Sequence, residues 1–456
     1  MGTQPGHNGP PVNHGRRSSV AAAEAGRLRR VTTPRSDLGV APSGPRDPLG
    51  ILAEQNRTRL QELLPLRRER MSQSVFTFYR GTAAIMAADL ASAPHSGILV
   101  ASCGDAHLNN FGFYASPQRT LLFDLNDFDE AAWAPWEWDL KRLVTSVILA
   151  GEEAGRSAGV IHGAAKACIA AYLRATRASA RLDPLSRYYT HFEPSAAATK
   201  GDRATRRLID DAVKAATRRT GERAARRLTE EAGDGGLRFI ENPPVMAHLP
   251  EDSEALVRWA YSTYLSTTNV DVRLLLNSYS VADVARRAVG VGSVGTRCFV
   301  VLLRDGDGAA TILQTKQANR SVLEQYGRIV QPDVVVSGIR EQGEGARVVS
   351  LQRILQAYSD PFLGHLSGER GDYYVRQFHD MKGGIDSETL DDSANTRFVE
   401  ACATVLARAH SQSGLSAEIL GYAGNGGRVT AAILGWCHDY CTTVRDDYAD
   451  YIAQPA

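Results

Sequence analysis

Two short turns concentrate the side chains that could do chemistry. The first is Ser102-Cys103-Gly104-Asp105-Ala106-His107-Leu108-Asn109-Asn110-Phe111, and the second is Phe123-Asp124-Leu125-Asn126-Asp127-Phe128-Asp129-Glu130. Each is entered from an apolar run and packs acids and Asn residues together, with a His in the first. Crowded carboxylates repel one another and are costly to desolvate. A chain tolerates that density where a cation is to sit among them. Oxygen donors of the Asp and Asn type suit a hard ion such as Mg²⁺. The alternative is a pair of Asx-turn loops whose acids cap helices.

A third signal lies far downstream. Ala288-Val289-Gly290-Val291-Gly292-Ser293-Val294-Gly295 is followed by Thr296-Arg297-Cys298-Phe299-Val300-Val301-Leu302-Leu303, a β-branched apolar run that reads as a strand. A dinucleotide-binding glycine motif needs a helix directly after it. A strand follows here, which favours a loop folded over a nucleotide's phosphates between antiparallel strands, as in protein kinases. Glycines serve such a loop because backbone amides must approach phosphate oxygens with no Cβ in the way. Gly290, Gly292, Ser293 and Gly295 are the expected contacts. Lys316 ends the returning strand Thr311-Ile312-Leu313-Gln314-Thr315-Lys316, where such an arrangement keeps a phosphate-binding Lys. It would want an anionic partner; Glu324 is the nearest in sequence and Glu341 the reserve. The bland alternatives are a ligand-free glycine hairpin and a surface lysine on an edge strand.

The elements that must position these groups divide the chain. Residues 1–47 are rich in Gly, Pro, Ser and Arg and read as a disordered tail. Residues 48–284 read as a helical lobe that carries both acidic turns, each fed by a short strand, Gly97 to Ala101 and Leu121 to Phe123. Residues 285–384 read as a β-rich nucleotide-binding lobe, with Asp305-Gly306-Asp307-Gly308 as a hairpin turn and further strands at Arg347 to Gln356 and Tyr373 to Phe378. Residues 385–456 read as helices returning to the helical lobe, with Phe398, Cys402, Val405 and Ala409 at core spacing. Ser321 is an expected helix cap and His379 to Gly384 an expected flexible connector. The basic stretch Lys200 to Arg227 reads as a solvated face or an anion-attracting cap. The fold class is therefore α+β.

Bulk properties exclude some classes. The formal net charge is +1, so no global field argues for nucleic acid or a membrane surface. No apolar run approaches the roughly 18 residues of a membrane span. The six Cys are scattered, and Cys437 and Cys441 have no second pair to complete a zinc site. That usage suits a reducing cytoplasm.

Gly104-Asp105-x-His107-x-x-Asn110 followed by Phe123-Asp124-x-x-Asp127 resembles the catalytic and metal-binding loops of aminoglycoside and choline phosphotransferases, with Cys103 in place of the usual first His. Trp138-Asp139-Leu140 resembles the opening of their next helix. The resemblance implies a two-lobed protein-kinase-like fold, with ATP and Mg²⁺ as cofactors and an unidentified hydroxyl compound as acceptor. It makes Asp105 the catalytic Asp, Asn110 and Asp124 metal ligands, and Asp127 a further ligand or outer acid. His107, Asp129 and Arg80 are additional candidates, and Arg80, Lys141 and Arg142 read as ion-pair partners of Asp129, Glu130 or Asp139 first and as substrate-phosphate ligands second. Because Asp105 and Asp124 precede Gly290 and Lys316, the implied fold is circularly permuted. Nucleotidyl transfer, ATP-dependent ligation and non-catalytic nucleotide binding are alternatives on the same scaffold. A metallophosphoesterase would need a Gly-Asn-His motif and a second His cluster that the chain lacks. From about Pro48 onward the chain also resembles the bacterial family numbered 2252 among domains of unknown function. The residues that carry this are Phe78-Tyr79-Arg80-Gly81, Gly104-Asp105-Ala106-His107, Asn126-Asp127-Phe128-Asp129-Glu130, Trp138-Asp139-Leu140-Lys141-Arg142, Val289-Gly290-Val291-Gly292-Ser293-Val294-Gly295 and Tyr374-Val375-Arg376-Gln377.

Overall fold

Apolar residues at helical spacing and at alternate spacing fall in different stretches of the chain, and they build different bodies. The computed structural model describes residues 17–192, 203–218, 221–233, 235–288, 290–368, 371–378 and 383–454. The result is α+β, with a helical body and a six-stranded antiparallel sheet.

The helix Trp136–Glu153 is the axis of the helical body. Every residue from Trp136 to Gly151 is buried, because helices Ala158–Ser179, Asp392–Ser411 and Gly427–Ala453 all pack against it. A helix covered all round can keep polar residues only if each finds a partner. Glu137 accepts the backbone N–H and hydroxyl of Ser96, at 2.5 and 2.8 Å. Lys141 places its ammonium over the Trp436 ring, 4.2 Å from the centroid, rather than pairing with an acid of the turns. All six Cys are free and buried, and Cys437 and Cys441 face the carbonyls of Lys141 and Thr145. No helix among the described residues is long and apolar enough to cross a membrane.

Four short strands deliver the acidic turns. β1 (Leu99–Ser102) pairs antiparallel with β4 (Ala132–Pro135), which runs straight into the Trp136–Glu153 helix. β2 (Phe111–Ala115) pairs with β3 (Leu121–Leu125). The first turn therefore leaves β1 beside the start of that helix. The second turn fills the connection from β3 to β4.

The sheet runs β11-β12-β10-β9-β8-β7 and is antiparallel throughout. Its strands are β7 (Met246–His248), β8 (Ser280–Arg287), β9 (Cys298–Arg304), β10 (Ala310–Ala318), β11 (Gly364–Gly368) and β12 (Gly371–Gln377). A separate two-stranded ribbon, β5 (Thr229–Glu231) with β6 (Leu237–Phe239), lies against one side. Alternation decides the faces. Leu313, Val301 and Tyr373 pack under helices Glu251–Thr267 and Val270–Leu276. Ile312, Val300 and Leu302 face helix Gly221–Leu228 and the ribbon. Lys316 shares the parity of Ile312.

Four sequence-based expectations change. Part of the tail read as disordered, Ser19–Thr32, is a helix crossing helix Ser416–Ala423. Gly26 and Gly421 make the crossing possible, since a Cβ on either would sit 2.0 Å from a carbonyl oxygen of the other helix. Residues 1–16 lie outside the described residues. The sheet begins at β7 and β8, ahead of the expected boundary at 285. Arg347 to Gln356 is not a strand but the end of helix Asp333–Leu355, kinked at Gly343, where φ is +80°. Val348, Leu351 and Leu355 are all buried at helical spacing, and that stripe overrides the β preference of the Val pair. Of the expected connector, residues 379–382 lie outside the described residues, whereas the Gly383 carbonyl accepts the Phe113 N–H at 2.6 Å. Lys200 and Val289 also lie outside them.

Candidate functional site

The first turn is held from behind. Asp139 accepts the N–H groups of Cys103 and Gly104, at 2.8 and 3.1 Å. His410 Nε2 stands 3.2 Å from the same carboxylate, and Tyr172 Oη 2.9 Å from His410 Nδ1. Gly104 has φ +80°, and a Cβ there would lie 2.2 Å from the Glu130 carbonyl, so only Gly fits. Asn110 donates its side-chain N–H to the Asp105 carbonyl at 2.7 Å.

These contacts leave the Asp105 carboxylate facing a cleft. Arg142, on the buried axis helix, donates to its Oδ1 from Nε at 2.9 Å and from Nη2 at 2.8 Å. Arg142 is fixed in turn by the Tyr79 carbonyl at 2.7 Å and lies over the Tyr79 ring. Its partner is thus Asp105, not the acids expected from the sequence. Asp105 Oδ2 stands 3.6 Å from His107 Nε2. Burial pushes the Asp105 carboxyl up to about 6, against the pull of Arg142 and with a further push from Asp127. Burial, then the charges of Arg80 and Arg142, drive the His107 ring well below its ordinary value, so it stands neutral. Its Nδ1 is buried with no hydrogen-bond partner among the described residues.

The second turn meets the sheet. Lys316, only 2% exposed, forms an ion pair with Asp129 and lies 4.0 Å from Asp127 Oδ1. The register sets Tyr374 directly across from Lys316, and its hydroxyl donates to Asp129 Oδ1 at 2.6 Å. Burial raises the Asp129 carboxyl, but Lys316 and these hydrogen bonds outweigh it and hold it at about 2. Glu130 accepts the Val322 N–H at 2.8 Å, and burial pushes it up to about 7. Ser321 caps the helix after β10 as expected and donates to the Glu130 carbonyl. Arg347 completes the seam. It donates to the carbonyls of Ala131, Asp129 and Asn319, at 2.5, 3.0 and 2.7 Å.

Two assignments are corrected here. Asp124 does not line the cleft. It lies on β3 with its side chain buried, accepting the N–H groups of Leu125 and Ala357 at 2.8 and 2.9 Å. The acid that reaches the cleft is Asp127, three residues on, in the connection rather than the strand. Glu324 is not the partner of Lys316; it faces Arg320 at 3.6 Å, and the reserve, Glu341, is exposed.

The glycine segment links antiparallel β8 and β9, as expected. Gly290 has φ +67° and lines the cleft with Gly292 and Ser293, whose hydroxyl donates to Asp129 Oδ2 at 3.3 Å. Gly295, with φ +91°, turns away instead; its carbonyl accepts the Leu60 N–H at 2.8 Å. Arg59, which also lines the cleft, donates to the Val294 carbonyl at 2.5 Å and supports the segment.

Asp105, His107, Asn110, Asp127 and Asp129 thus share one cavity of about 380 Å³ with Gly290, Gly292, Ser293 and Arg80. No three His, Cys, Asp or Glu side chains among the described residues converge closely enough to hold a metal alone. The available donors are the Asp127 and Asp129 carboxylates and the Asn110 side-chain carbonyl, whose N–H₂ is already committed to Asp105. An incomplete, all-oxygen set fits Mg²⁺, which keeps several waters and takes its remaining ligands from substrate phosphates. Arg347, Tyr374 and His410 were missed as site-forming residues, whereas Arg142 and Asp139 were named but take other partners, Asp105 and the N–H groups of Cys103 and Gly104. The signal for Arg142 and Asp139 lay in the run Trp138-Asp139-Leu140-Lys141-Arg142.

The sequence model of a family described as an uncharacterized protein conserved in bacteria, domain of unknown function 2252, matches residues 59–454. No curated protein and no solved structure matches the chain.

Proposed function

The chain belongs to that bacterial family, a membership that assigns no activity, and we propose that its cleft serves ATP- and Mg²⁺-dependent phosphoryl transfer to a hydroxyl. The observation that carries this reading is the pairing of Lys316, buried in the wall, with Asp129, whose carboxylate lines the cleft together with Asp127, Asp105, Gly290, Gly292 and Ser293. On this reading the fold is kinase-like and permuted, with the glycine turn and Lys following the acid turns in sequence.

Such transfer depends mainly on positioning and charge neutralisation. Asp127, Asp129 and Asn110 would hold Mg²⁺, which when bound screens the phosphate charge. Lys316 supplies a fixed positive charge on the sheet side. The amides of residues 290–293 can approach phosphate oxygens closely because two of those residues are glycines. Asp105 accepts the proton of the attacking hydroxyl on Oδ2, since Arg142 occupies Oδ1. A carboxyl at about 6 is ionised at neutral pH yet more basic than an ordinary Asp.

The test is purified protein with Mg²⁺, a small-molecule extract and ATP labelled at either the α or the γ phosphate. Label leaving the γ position for an acceptor, and lost in Asp105→Asn, is the expected result. Transfer of α label identifies nucleotidyl transfer instead, and no transfer together with no nucleotide binding overturns the reading.

A further inference from the structure

Resting on that reading, we propose that the acceptor carries an oxyanion, phosphate or carboxylate, which Arg80 binds beside Asp105. Arg80 closes the helix Val75–Arg80 and lines the cleft under the glycine turn; its carbonyl would lie 3.5 Å from a Cβ on Gly292. Its Nε is buried without a hydrogen-bond partner, and its side chain makes no hydrogen bond or ion pair among the described residues. Arg59, in the same cleft, and Arg67 also keep an unpartnered Nε, but each donates elsewhere, to the Val294 carbonyl and to Asn56 Oδ1. Arg142, Arg347 and Arg408 each spend their guanidinium on two or more named acceptors. A buried Nε without an acceptor is costly, and an oxyanion that reaches it would recover that cost.

On the sheet side, Asp127 and Asp129 face two cations, Lys316 and Arg376, so the acids there are already balanced. On the helical side, Asp105 lies beside two guanidiniums, Arg142 and Arg80, and a neutral His107, with Glu153 also acting on Arg80 at longer range. Arg142 holds Asp105 Oδ1, and Arg80 makes no hydrogen bond to the carboxylate. A planar guanidinium binds phosphate or carboxylate through two parallel N–H groups, which would place an acceptor hydroxyl as well as attract it. Hydroxy acids and phosphorylated polyols are the substrate classes that fit.

The test uses the full chain saturated with Mg²⁺ and a non-hydrolysable ATP analogue, titrated calorimetrically with inorganic phosphate and separately with acetate. Saturable binding of one or both is expected, weakened at least tenfold in Arg80→Ala, partly restored in Arg80→Lys, and with analogue affinity within threefold of wild type. Arg80→Gln replaces Arg80→Ala if the smaller side chain does not fold, as judged by circular dichroism. Anion binding that is absent, or equal in wild type and variant, overturns the proposal. A tenfold loss of analogue affinity in the variant also overturns it, since Arg80 then belongs to the nucleotide. Arg80-dependent phosphate binding in a protein that never binds the analogue supports the anion site and overturns the phosphotransferase reading.

Discussion

Replacing Lys316 with Met removes the ammonium that joins the sheet to the acid turn while keeping an unbranched stem. The magnitude follows from Asp129, held at about 2 against an ordinary 3.8. A gap of nearly two pH units corresponds to about 2.5 kcal/mol. The folded value lies below the unfolded one, so this stability is complete above the ordinary carboxylate range and is lost as pH falls from about 4 through about 2. Without Lys316, burial dominates, as it does at Asp105 and Glu130, which lie at about 6 and about 7. Asp129 then moves above its ordinary value, and the sign reverses. Lys316→Met should lose about 3–5 kcal/mol at pH 7, the cost of leaving one partner of a buried pair, and should lose less at pH 5 as Asp129 takes up a proton. Adding Asp129→Asn should recover most of the loss. Urea unfolding at pH 7 and pH 5, with unchanged m values, measures these differences, and carboxylates common to both proteins cancel. If the loss is the same at both pH values and the double variant recovers nothing, Lys316 does not sense Asp129, and the joined cleft is wrong.

Asp105→Asn should lower phosphoryl transfer at least about 100-fold and change nucleotide affinity by less than about threefold, by calorimetry. The wild-type kcat/KM should rise with pH around a midpoint near 6, because the base works ionised; a flat profile through that range removes Asp105 from the role. Asp127→Asn should raise the Mg²⁺ concentration needed for half-maximal rate at least about tenfold with little loss of stability. Asp124→Asn should do the opposite, leaving the Mg²⁺ requirement unchanged and costing about 1–3 kcal/mol; a reversed pair of results restores Asp124 as the ligand. Gly26→Leu should undock helix Ser19–Thr32, seen as fast amide exchange confined to that helix and its neighbour.

Features fixed by neighbours in sequence were legible. The Asp305-Gly306-Asp307-Gly308 turn, strands β9 and β10, and the Ser321 cap rest on chemistry within a few residues. Asp105 was legible too, because its turn is local. The choice between Asp124 and Asp127 was not. Both sit in one short run, and only the Ala357 N–H, donated from beyond the helix Asp333–Leu355, commits Asp124 to the core. The partner of Lys316 failed for the same reason, since Asp129 lies in a separate stretch while Glu324 was merely near. The Gly, Pro, Ser and Arg content of residues 1–47 reads as a tail, yet a small residue such as Gly26 is what a close helix crossing needs, and the helix that supplies the other half lies near the far end of the chain.

The 187 residues between Asp129 and Lys316 also set a schedule on the ribosome. At ~5–20 residues per second, the carboxylate waits on the order of ten to forty seconds for its countercharge. Asp139 waits longer, because His410 follows 271 residues later. The nascent chain therefore presents an uncompensated cluster of acids until the closing helices emerge. Premature termination anywhere before them should yield a species that chaperones retain and proteases clear, rather than a smaller working protein.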